Sequence, residues 1–288
     1  MKVYINEPMS AHTTFRTGGP ADRYCIPDDT DELRKLVLEC REENIPYYVI
    51  GNGSNLLVSD AGYRGCIIEI GKGISSILCD GQTITAGAGA LLAVISQEAK
   101  NHALTGMEFA SGIPGSLGGA VVMNAGAYGG EMKNILRSVL LMDENGRFFR
   151  ETPEELELSY RHSNIPDRNL IVLEAEICLT PGDKEEIAAA MRTLAEQRRE
   201  KQPLEYPSAG STFKRPEGYY AGKLISDAGL KGYTVGGAMV SEKHAGFVIN
   251  KGGASSGDIL AVIDHVTKVV QDRFGVVLEP EVKILGEI

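Results

Sequence analysis

A glycine-rich segment of nineteen residues, Gly112 to Gly130, has the composition that most clearly indicates chemistry. It reads GIPGSLGGAVVMNAGAYGG, with seven glycines and no lysine, arginine or acidic residue. Glycine costs about 0.5–1 kcal/mol relative to alanine inside a regular element, so this density indicates positive φ angles or close backbone approach. Successive backbone N–H groups in such turns bind anions, and Ser116 adds a hydroxyl with little bulk. The segment predicts a phosphate-binding loop.

A second glycine loop, GNGSN at Gly51 to Asn55, follows the apolar run Tyr47 to Ile50. The third glycine of a Rossmann fingerprint is missing, no Walker lysine follows, and Leu56 to Val58 is typical of a strand rather than a helix. Alone, the loop is equally compatible with an ordinary hairpin turn. Two such loops, about sixty residues apart, favour a phosphate-rich ligand held between them.

Length and composition indicate a globular protein with a substantial core, because the chain has 288 residues and 43% hydrophobic content. No apolar run reaches the roughly 20 residues that span a bilayer, and the first residues lack the apolar stretch of a signal peptide. We therefore expect a cytoplasmic protein without membrane insertion. The five cysteines form no CxxC and no metal-ligand spacing, which predicts buried thiols and no metal site.

The net charge of −10 argues against a nucleic-acid partner, whose phosphates require a basic surface. The segment from Ser211 to Lys251 departs from this balance with a net charge of +3. It is compatible with a site for a small anionic substrate, although such charge runs are more often plain solvated surface.

Hydrophobic periodicity and capping residues predict helices separated by short strands, the pattern of an α+β fold. The predicted helices cover residues 31–44, 91–101, 184–201 and 256–274, and Thr152 with Glu155 predicts a capping box and a short helical turn. Strands are predicted at 47–50, 56–58, 66–70, 83–86, 139–142, 171–179, 245–249 and 276–282. A boundary near residues 180–203 separates the two glycine loops from the basic segment.

Six motifs then occur in a characteristic order: GNGSN, IPGSLGGAVVMNAGAYG, the Tyr160-Arg161 pair in SYRHS, AGSTFKRP, AGKLISDAGLKG and LEPEVKILG. Together they resemble the UDP-N-acetylenolpyruvoylglucosamine reductases, the MurB family of flavoenzymes in bacterial peptidoglycan precursor synthesis. The resemblance extends from about Thr14 to Gly286.

The resemblance implies an α+β protein that joins a two-subdomain FAD-binding module, of the PCMH/vanillyl-alcohol-oxidase type, to a C-terminal α+β substrate-binding domain. We expect the subdomains at residues 1–70 and 71–202, the latter with a connector helix, and the substrate domain at 203–288. The length indicates the short form of the family, without an inserted tyrosine-bearing loop. The role of that loop is therefore not assigned to Tyr206, Tyr219, Tyr220 or Tyr233.

The implied cofactors are noncovalently bound FAD and NADPH as the hydride donor. The Thr14–Gly19 stretch is expected near the flavin. Motif match assigns cofactor binding to Gly51, Asn52, Gly53, Ser54, Asn55, Leu56, Gly112, Ile113, Pro114, Gly115, Ser116, Gly118, Gly119, Ala120, Asn124, Gly126 and Ala127.

In the implied reaction NADPH reduces the FAD and hydride passes from flavin N5 to the enolpyruvyl CH₂ carbon of the UDP-N-acetylglucosamine ether. The adjacent carbon is then protonated. By motif match Arg161 stabilises the substrate carboxylate, Ser211 donates the proton, and Glu281 orients or protonates the intermediate. An acid beside an anion acts only if it holds or shares a proton, so we expect a raised pKa for Glu281. Glu279, two residues away, is the alternative assignment.

Lys214, Lys223, Lys231 and Asn250 are candidate contacts to the diphosphate or carboxylate of this small-molecule substrate. A monomer is expected from the resemblance. Two other functions stay open on the sequence: another FAD-dependent oxidase or dehydrogenase of the same superfamily, or a nucleotide-sugar-binding module without catalysis.

Overall fold

The computed structural model describes residues 1–287, and its mixture of helices and strands confirms the predicted α+β class. Its α-helices are α1 Thr30–Glu42, α2 Leu92–Asn101, α3 Leu117–Val122, α4 Lys184–Lys201, α5 Ala221–Asp227 and α6 Ser256–Phe274. None of the helices in residues 1–287 is long and apolar enough to cross a membrane.

Most of the strands are short. They are β1 Lys2–Pro8, β2 Pro20–Ile26, β3 Tyr47–Ile50, β4 Leu56–Val58, β5 Tyr63–Glu69, β6 Ile77–Asp80, β7 Thr83–Gly87, β8 Leu104–Thr105, β9 Gly126–Ala127, β10 Gly130–Glu131, β11 Leu136–Met142, β12 Phe148–Glu151, β13 Ile171–Cys178, β14 Thr180–Pro181, β15 Thr234–Val235, β16 Ala238–Val240, β17 Val248–Asn250 and β18 Lys283–Leu285.

The strands form three larger sheets and several two-stranded pairs. The largest sheet has the order β12-β11-β13-β7-β6 and is antiparallel throughout. A four-stranded sheet has the order β1-β2-β5-β3, and a three-stranded antiparallel sheet has the order β15-β16-β17. β18 pairs with β4 in parallel, which joins the end of the chain to the strand that follows GNGSN.

The predicted helix boundaries have their expected physical causes. Asp183 Oδ1 accepts the backbone N–H groups of Glu185 and Glu186 at the start of α4. Ser255 and Asp258 form a capping box at the start of α6, and Gly275 ends that helix at φ +68°. Thr152 and Glu155 also make reciprocal capping bonds, although a turn rather than a regular helix follows.

Contacts divide the chain into two compact units. Unit 1 comprises residues 1–4, 23–52 and 65–198, and unit 2 comprises residues 5–22, 53–64 and 199–288. Unit 2 therefore takes in two N-terminal segments, which a division into contiguous stretches does not anticipate. The three-part division at residues 70 and 202 stays a prediction.

Each unit has a hydrophobic core of its own. In unit 1 one core takes in the buried residues of α1, α2, α3 and the five-stranded sheet, such as Leu33, Ile95 and Val139. In unit 2 α6 supplies Ile259, Val262 and Val266 to a core that also includes Phe15 and Leu57.

Two predicted strands differ from the structure. Residues 276–282 form no strand, apart from one isolated antiparallel bridge between Pro280 and Phe213, and the strand begins only at Lys283. Proline lacks the N–H that a strand needs, so the apolar pattern before it was misleading. The strand predicted at 245–249 begins at Val248, because the N–H of Phe247 bonds the carbonyl of His244 in a turn.

The cysteines confirm the prediction of buried thiols only in part. Cys25, Cys40 and Cys66 are fully buried free thiols, with the Sγ atoms of Cys25 and Cys66 3.7 Å apart. Hydrogen bonds to Cys25 and Cys40, together with burial, raise the pKa of the Cys66 thiol. Cys79 is half-buried and Cys178 is exposed, so the prediction was wrong for Cys178. Within residues 1–287 no group of three or more His, Cys, Asp or Glu side chains is placed to hold a metal ion.

Candidate active site

In unit 1 the first glycine loop contacts the second. The Asn52 side chain donates from Nδ2 to the carbonyl of Pro114 at 2.7 Å. A Cβ on Gly51 would lie 2.0 Å from Ser116 Oγ, so only glycine allows this approach. The sequence prediction that the two loops act together is thus supported where Gly51 and Asn52 meet residues 114–116.

The turn that follows α3 is held by a buried asparagine. Asn124 has φ +43° and is fully buried. Its Nδ2 donates to Glu131 Oε2 and to the carbonyl of Ser159, and its Oδ1 accepts the N–H of Lys133, each at 2.9 Å. Both amide donors are therefore used inside the protein. Asn124 shapes the turn that carries Gly126 and Ala127, and its role in cofactor binding stays a prediction.

Arg161 lies against this turn. It has φ +55°, an uncommon conformation for a residue other than glycine, in a tight turn where Ser159 pairs with His162. Its Nη2 donates to the carbonyl of Gly126 at 2.8 Å, and its guanidinium carbon lies 5.1 Å from the centre of the Tyr160 ring. The predicted catalytic arginine is thus fixed beside a predicted cofactor residue.

In unit 2 the remainder of GNGSN meets the Thr14–Gly19 stretch. The carbonyl of Gly53 accepts the N–H of Thr14 at 3.2 Å. The side-chain oxygens of Thr14 and Thr17 are buried, and neither finds a hydrogen-bond partner within residues 1–287. A buried hydroxyl without a partner is costly, so these two oxygens are well suited to bond a bound ligand.

Backbone pairing places the Ser211 segment beside Glu281. The N–H of Glu281 donates to the carbonyl of Thr212, and the N–H of Lys214 donates to the carbonyl of Glu279, at 2.8 and 2.9 Å. Ser211 itself is exposed and follows Gly210 at φ +76°. The structure therefore joins the backbone segments that carry two predicted catalytic residues about seventy positions apart.

Asn55 reaches the same place from the first glycine loop. Its Nδ2 donates to the carbonyl of Glu281 at 3.1 Å, and its own carbonyl accepts the N–H of Lys283 at 2.9 Å. The sequence assigned Asn55 to the cofactor, and the contact with Glu281 is a second role that no local pattern indicates.

The geometry separates Glu281 from its alternative. The Glu279 side chain is 70% exposed and forms an ion pair with Lys214 at 3.1 Å. Glu281 is half-buried and lies in the pairing just described. The exposure and ion pair of Glu279 place its carboxylate at the surface, which favours the less exposed Glu281 for the catalytic assignment.

The remaining candidate substrate residues divide into surface and interior. Lys223 pairs with Asp227 one helical turn later in α5, and Lys231 is exposed. Asn250 is buried: its Nδ2 donates to the carbonyl of Phe15, and its Oδ1 accepts the N–H groups of Gly252 and Ala254. The structure gives Asn250 a role in holding loops, which leaves its predicted substrate contact without support.

A histidine that the sequence analysis did not single out lies near the Ser211 segment. His244 Nδ1 accepts the N–H of Gly246, whose carbonyl accepts the N–H of Thr212. Burial lowers the pKa of His244, and nearby Lys231 lowers it further. The ring therefore favours the neutral form and carries its proton on Nε2.

Comparison with known proteins decides the family. Residues 202–285 match the model of the UDP-N-acetylenolpyruvoylglucosamine reductase C-terminal domain, and residues 21–151 match the model of an FAD binding domain. A UDP-N-acetylenolpyruvoylglucosamine reductase of Caldanaerobacter subterraneus subsp. tengcongensis is 54% identical over 286 residues, 99% of this chain and 94% of the relative. The chain belongs to the UDP-N-acetylenolpyruvoylglucosamine reductase family.

Further relatives agree with this membership. The reductase of Agathobacter rectalis is 55% identical over 98% of this chain and 93% of its own length. The crystal structure of the family member from Thermus caldophilus has 36% identity and a TM-score of 0.85, with 99% of this chain and 98% of that chain covered. The resemblance stated from six motifs is confirmed, together with FAD as the cofactor.

A more distant likeness concerns the fold alone. A variant of Phl p 4, a glucose oxidase, aligns with 63% of this chain and 42% of its own at 16% identity and a TM-score of 0.52. This agrees with the predicted superfamily of the FAD-binding module.

The residues present fit FAD. The segment 112–119 has no acidic side chain, Gly112 and Gly119 are exposed, and a Cβ on Gly119 would meet no atom within 4 Å. Exposed glycine backbone of this kind can bind an anionic ligand, although the N–H of Gly118 is already bonded to the carbonyl of Ala88. The two buried hydroxyls of Thr14 and Thr17 are further polar groups that can bond the cofactor. Sequence reasoning named that stretch but had no signal for which of its residues would have a free oxygen.

Proposed function

We propose that this protein catalyses the NADPH-dependent reduction of UDP-N-acetylglucosamine enolpyruvate to UDP-N-acetylmuramate, a step of peptidoglycan precursor synthesis. The observation that carries the proposal is identity above 50% to reductases of this family over nearly the whole chain. The support within unit 2 is the pairing of Thr212 with Glu281, which joins the AGSTFKRP and LEPEVKILG motifs.

When bound, FAD supplies the transfer of hydride from NADPH to the enolpyruvyl group. The chain's own task is to bind the substrate carboxylate, stabilise the negative charge that develops next to it, and deliver a proton to carbon. Preorganised donors that face a developing anion are each worth about 10²–10³ in rate, and a positioned general acid about 10²–10⁴.

Arg161 is the proposed ligand of the substrate carboxylate. A guanidinium stays charged at all relevant pH values and can bind a carboxylate through two parallel N–H donors. Its bond to the carbonyl of Gly126 uses Nη2 and holds the group in one orientation. Such preorganisation reduces the cost of ordering a long side chain when the substrate binds.

Ser211 is the proposed proton donor, with Glu281 beside it. A serine hydroxyl is a weak acid, so it protonates carbon only where the intermediate is strongly basic and the hydroxyl is held in place. The bonds of Thr212 fix the backbone that follows Ser211, and Gly210 precedes it at φ +76°. Glu281 shares or holds a proton and orients the carboxylate of the intermediate.

The lysines of the basic segment are proposed to attract the anionic substrate. Lys214 and Lys223 have carboxylate partners on the surface, and Lys231 lies near neutral His244. We propose that these residues raise the local concentration of the nucleotide sugar more than they specify its geometry.

We further propose that the enzyme works as a monomer in the cytoplasm. The support for the location is the sequence expectation drawn from the first residues, which lack the apolar stretch of a signal peptide, and the monomer is what the family resemblance implies. Light scattering of the purified protein tests the monomer, and a stable dimer at micromolar concentration would contradict it.

The visible spectrum of the anaerobic protein tests the function. It is recorded for the purified protein, after NADPH, and again after UDP-N-acetylglucosamine enolpyruvate. We expect a flavin spectrum that bleaches with NADPH and returns with the substrate. Bleaching without return would reject this substrate, and a protein that stays colourless after FAD is supplied would reject the flavoenzyme.

A further inference from the structure

Thr212, the residue after the proposed proton donor, uses its backbone and side chain in three hydrogen bonds. Its N–H donates to the carbonyl of Gly246 at 2.8 Å, its carbonyl accepts the N–H of Glu281 at 2.8 Å, and its Oγ1 accepts the N–H of Val248 at 2.9 Å. Its side chain is fully buried. These bonds join three segments of unit 2 that are distant in sequence.

The side chain of Thr212 is the part of this arrangement that depends on residue type. The N–H of Val248 lies in the core, where a donor without an acceptor destabilises the fold because it loses its bonds to water. Only a side chain that carries an acceptor atom at the distance of Thr212 Oγ1 can bond this N–H. A side chain without the hydroxyl would force either Val248 or Thr212 to shift.

A shift of Thr212 would displace both Ser211 and Glu281. Ser211 is its covalent neighbour, and Glu281 is bonded to its carbonyl. Glu281 has a second anchor in Asn55, whose side chain donates to its carbonyl, whereas Ser211 follows a glycine that adds no restraint of its own. The position of Ser211 therefore depends more strongly on Thr212 than that of Glu281 does.

We propose that Thr212 is a positioning residue for the reduction, and that its hydroxyl, anchored on the N–H of Val248, holds Ser211 where it can protonate the substrate carbon. The inference rests on the proposed function and assigns it a further residue. Misplacement of a reacting group by about 1 Å can cost roughly 10²-fold in rate. Loss of the buried hydrogen bond between Val248 and Thr212 can therefore slow the proton transfer strongly.

Three substitutions at residue 212 grade the strength of the acceptor. Thr212→Ser keeps the hydroxyl, Thr212→Cys replaces it with the weaker acceptor sulfur, and Thr212→Val removes it while keeping the shape. Thr267→Val is the matched control, because Thr267 in α6 also bonds a backbone group in unit 2, the carbonyl of Ile263, and lies outside the site.

The two half-reactions are measured separately by stopped flow at pH 7 and 25 °C. We expect bleaching by NADPH to stay within about twofold of the native rate in all four variants. Recovery of the flavin spectrum with the enolpyruvyl substrate should slow in the order Ser, Cys, Val, with roughly 10- to 100-fold loss for Thr212→Val and near-native recovery for Thr212→Ser. Should Thr212→Val fail to fold, the difference between the Ser and Cys variants still tests the acceptor.

Equal slowing of both half-reactions, or recovery at the native rate in the Cys and Val variants, would overturn the positioning role. Failure of the native protein to recover its spectrum would instead reject the proposed function. Amide hydrogen exchange adds a readout without activity: faster exchange of peptides 210–214 and 246–250 in Thr212→Val, and not in Thr267→Val, is expected, and unchanged exchange would contradict the anchor.

Discussion

The two units present their candidate site residues in different ways. Unit 1 carries most of its predicted cofactor-binding residues on one glycine-rich stretch, residues 112–127, in which the Asn124 side chain holds a turn. Unit 2 assembles its set from segments near residues 14, 55, 212 and 281, which long-range hydrogen bonds and a shared hydrophobic core bring together. One region is a local backbone structure, and the other depends on tertiary pairing.

The difference between backbone donors and oriented side chains indicates which function suits each unit. Backbone N–H groups can bind a phosphate-rich cofactor, and they do not change their protonation with pH. A glycine-rich loop such as that of unit 1 is therefore suited to bind the phosphates of FAD. Side chains that must donate a proton or bind a developing anion need orientation by partners, and unit 2 supplies these partners. Substitutions in unit 2 should therefore change the rate of the second half-reaction, and substitutions at the glycines of unit 1 should change stability and cofactor affinity.

The largest expected effect is that of Ser211→Ala. Loss of the proton donor should slow flavin reoxidation by the enolpyruvyl substrate at least about 10²-fold, while reduction by NADPH remains nearly native, since only the second half-reaction needs a proton on carbon. Stopped-flow absorbance of the flavin measures both. If the two half-reactions slow equally, the proton-donor role of Ser211 is lost, and with it the contrast between the units.

Arg161→Lys tests whether a unit 1 residue can behave like those of unit 2. Lysine keeps the charge but not the planar pair of donors, and it cannot make the same bond to the carbonyl of Gly126. We expect a loss of roughly 10- to 100-fold in the second half-reaction, the equivalent of one charged hydrogen bond. FAD affinity, measured by fluorescence titration, should change little.

Near-native turnover of Arg161→Lys would indicate that charge alone is needed at this position. A parallel loss of FAD affinity would instead make Arg161 part of the cofactor loop.

Gly51→Ala tests the close contact between the two glycine loops. The added Cβ would lie 2.0 Å from Ser116 Oγ and 3.3 Å from its Cβ, so overpacking should cost about 1–3 kcal/mol in the free energy of unfolding. Because the nearest atom is a single side-chain oxygen, the double variant Gly51→Ala/Ser116→Ala should recover most of that loss. Urea unfolding of the four proteins forms the cycle, and additive effects would contradict the contact.

The comparison also explains how far the sequence could be interpreted. The glycine loops, the helices at 184–201 and 256–274 and the strand at 56–58 were predictable because composition and short-range spacing determine them. The motifs identified the family for the same reason.

The pairing of unit 2 was not predictable from such patterns. Asn55 bonds a carbonyl 226 positions away, and nothing local distinguishes Thr212 from an ordinary threonine after a glycine turn. The prediction of a strand at 276–282 was wrong because apolar residues around Pro280 pack without forming a ladder. Long-range partners decide these positions, and one sequence contains no record of them.

The smallest expected effect concerns the pH dependence of stability through His244. Burial lowers its pKa in the folded protein, so below about pH 6.5 the unfolded chain binds more protons than the folded one. Stability should therefore fall as the pH decreases from 6.5 towards the pKa of His244 in the folded protein.

His244→Gln keeps an acceptor for the N–H of Gly246 and removes the titration, so the free energy of unfolding, measured in urea between pH 7.5 and 5.5, should depend less on pH than that of the native protein. Thr267→Val, which removes a hydrogen bond of a non-titrating side chain in the same unit, is the control and should keep the native slope. If His244→Gln also keeps the native slope, other groups carry the pH dependence. His244 would then contribute to stability through packing and its bond to Gly246, and not through its charge.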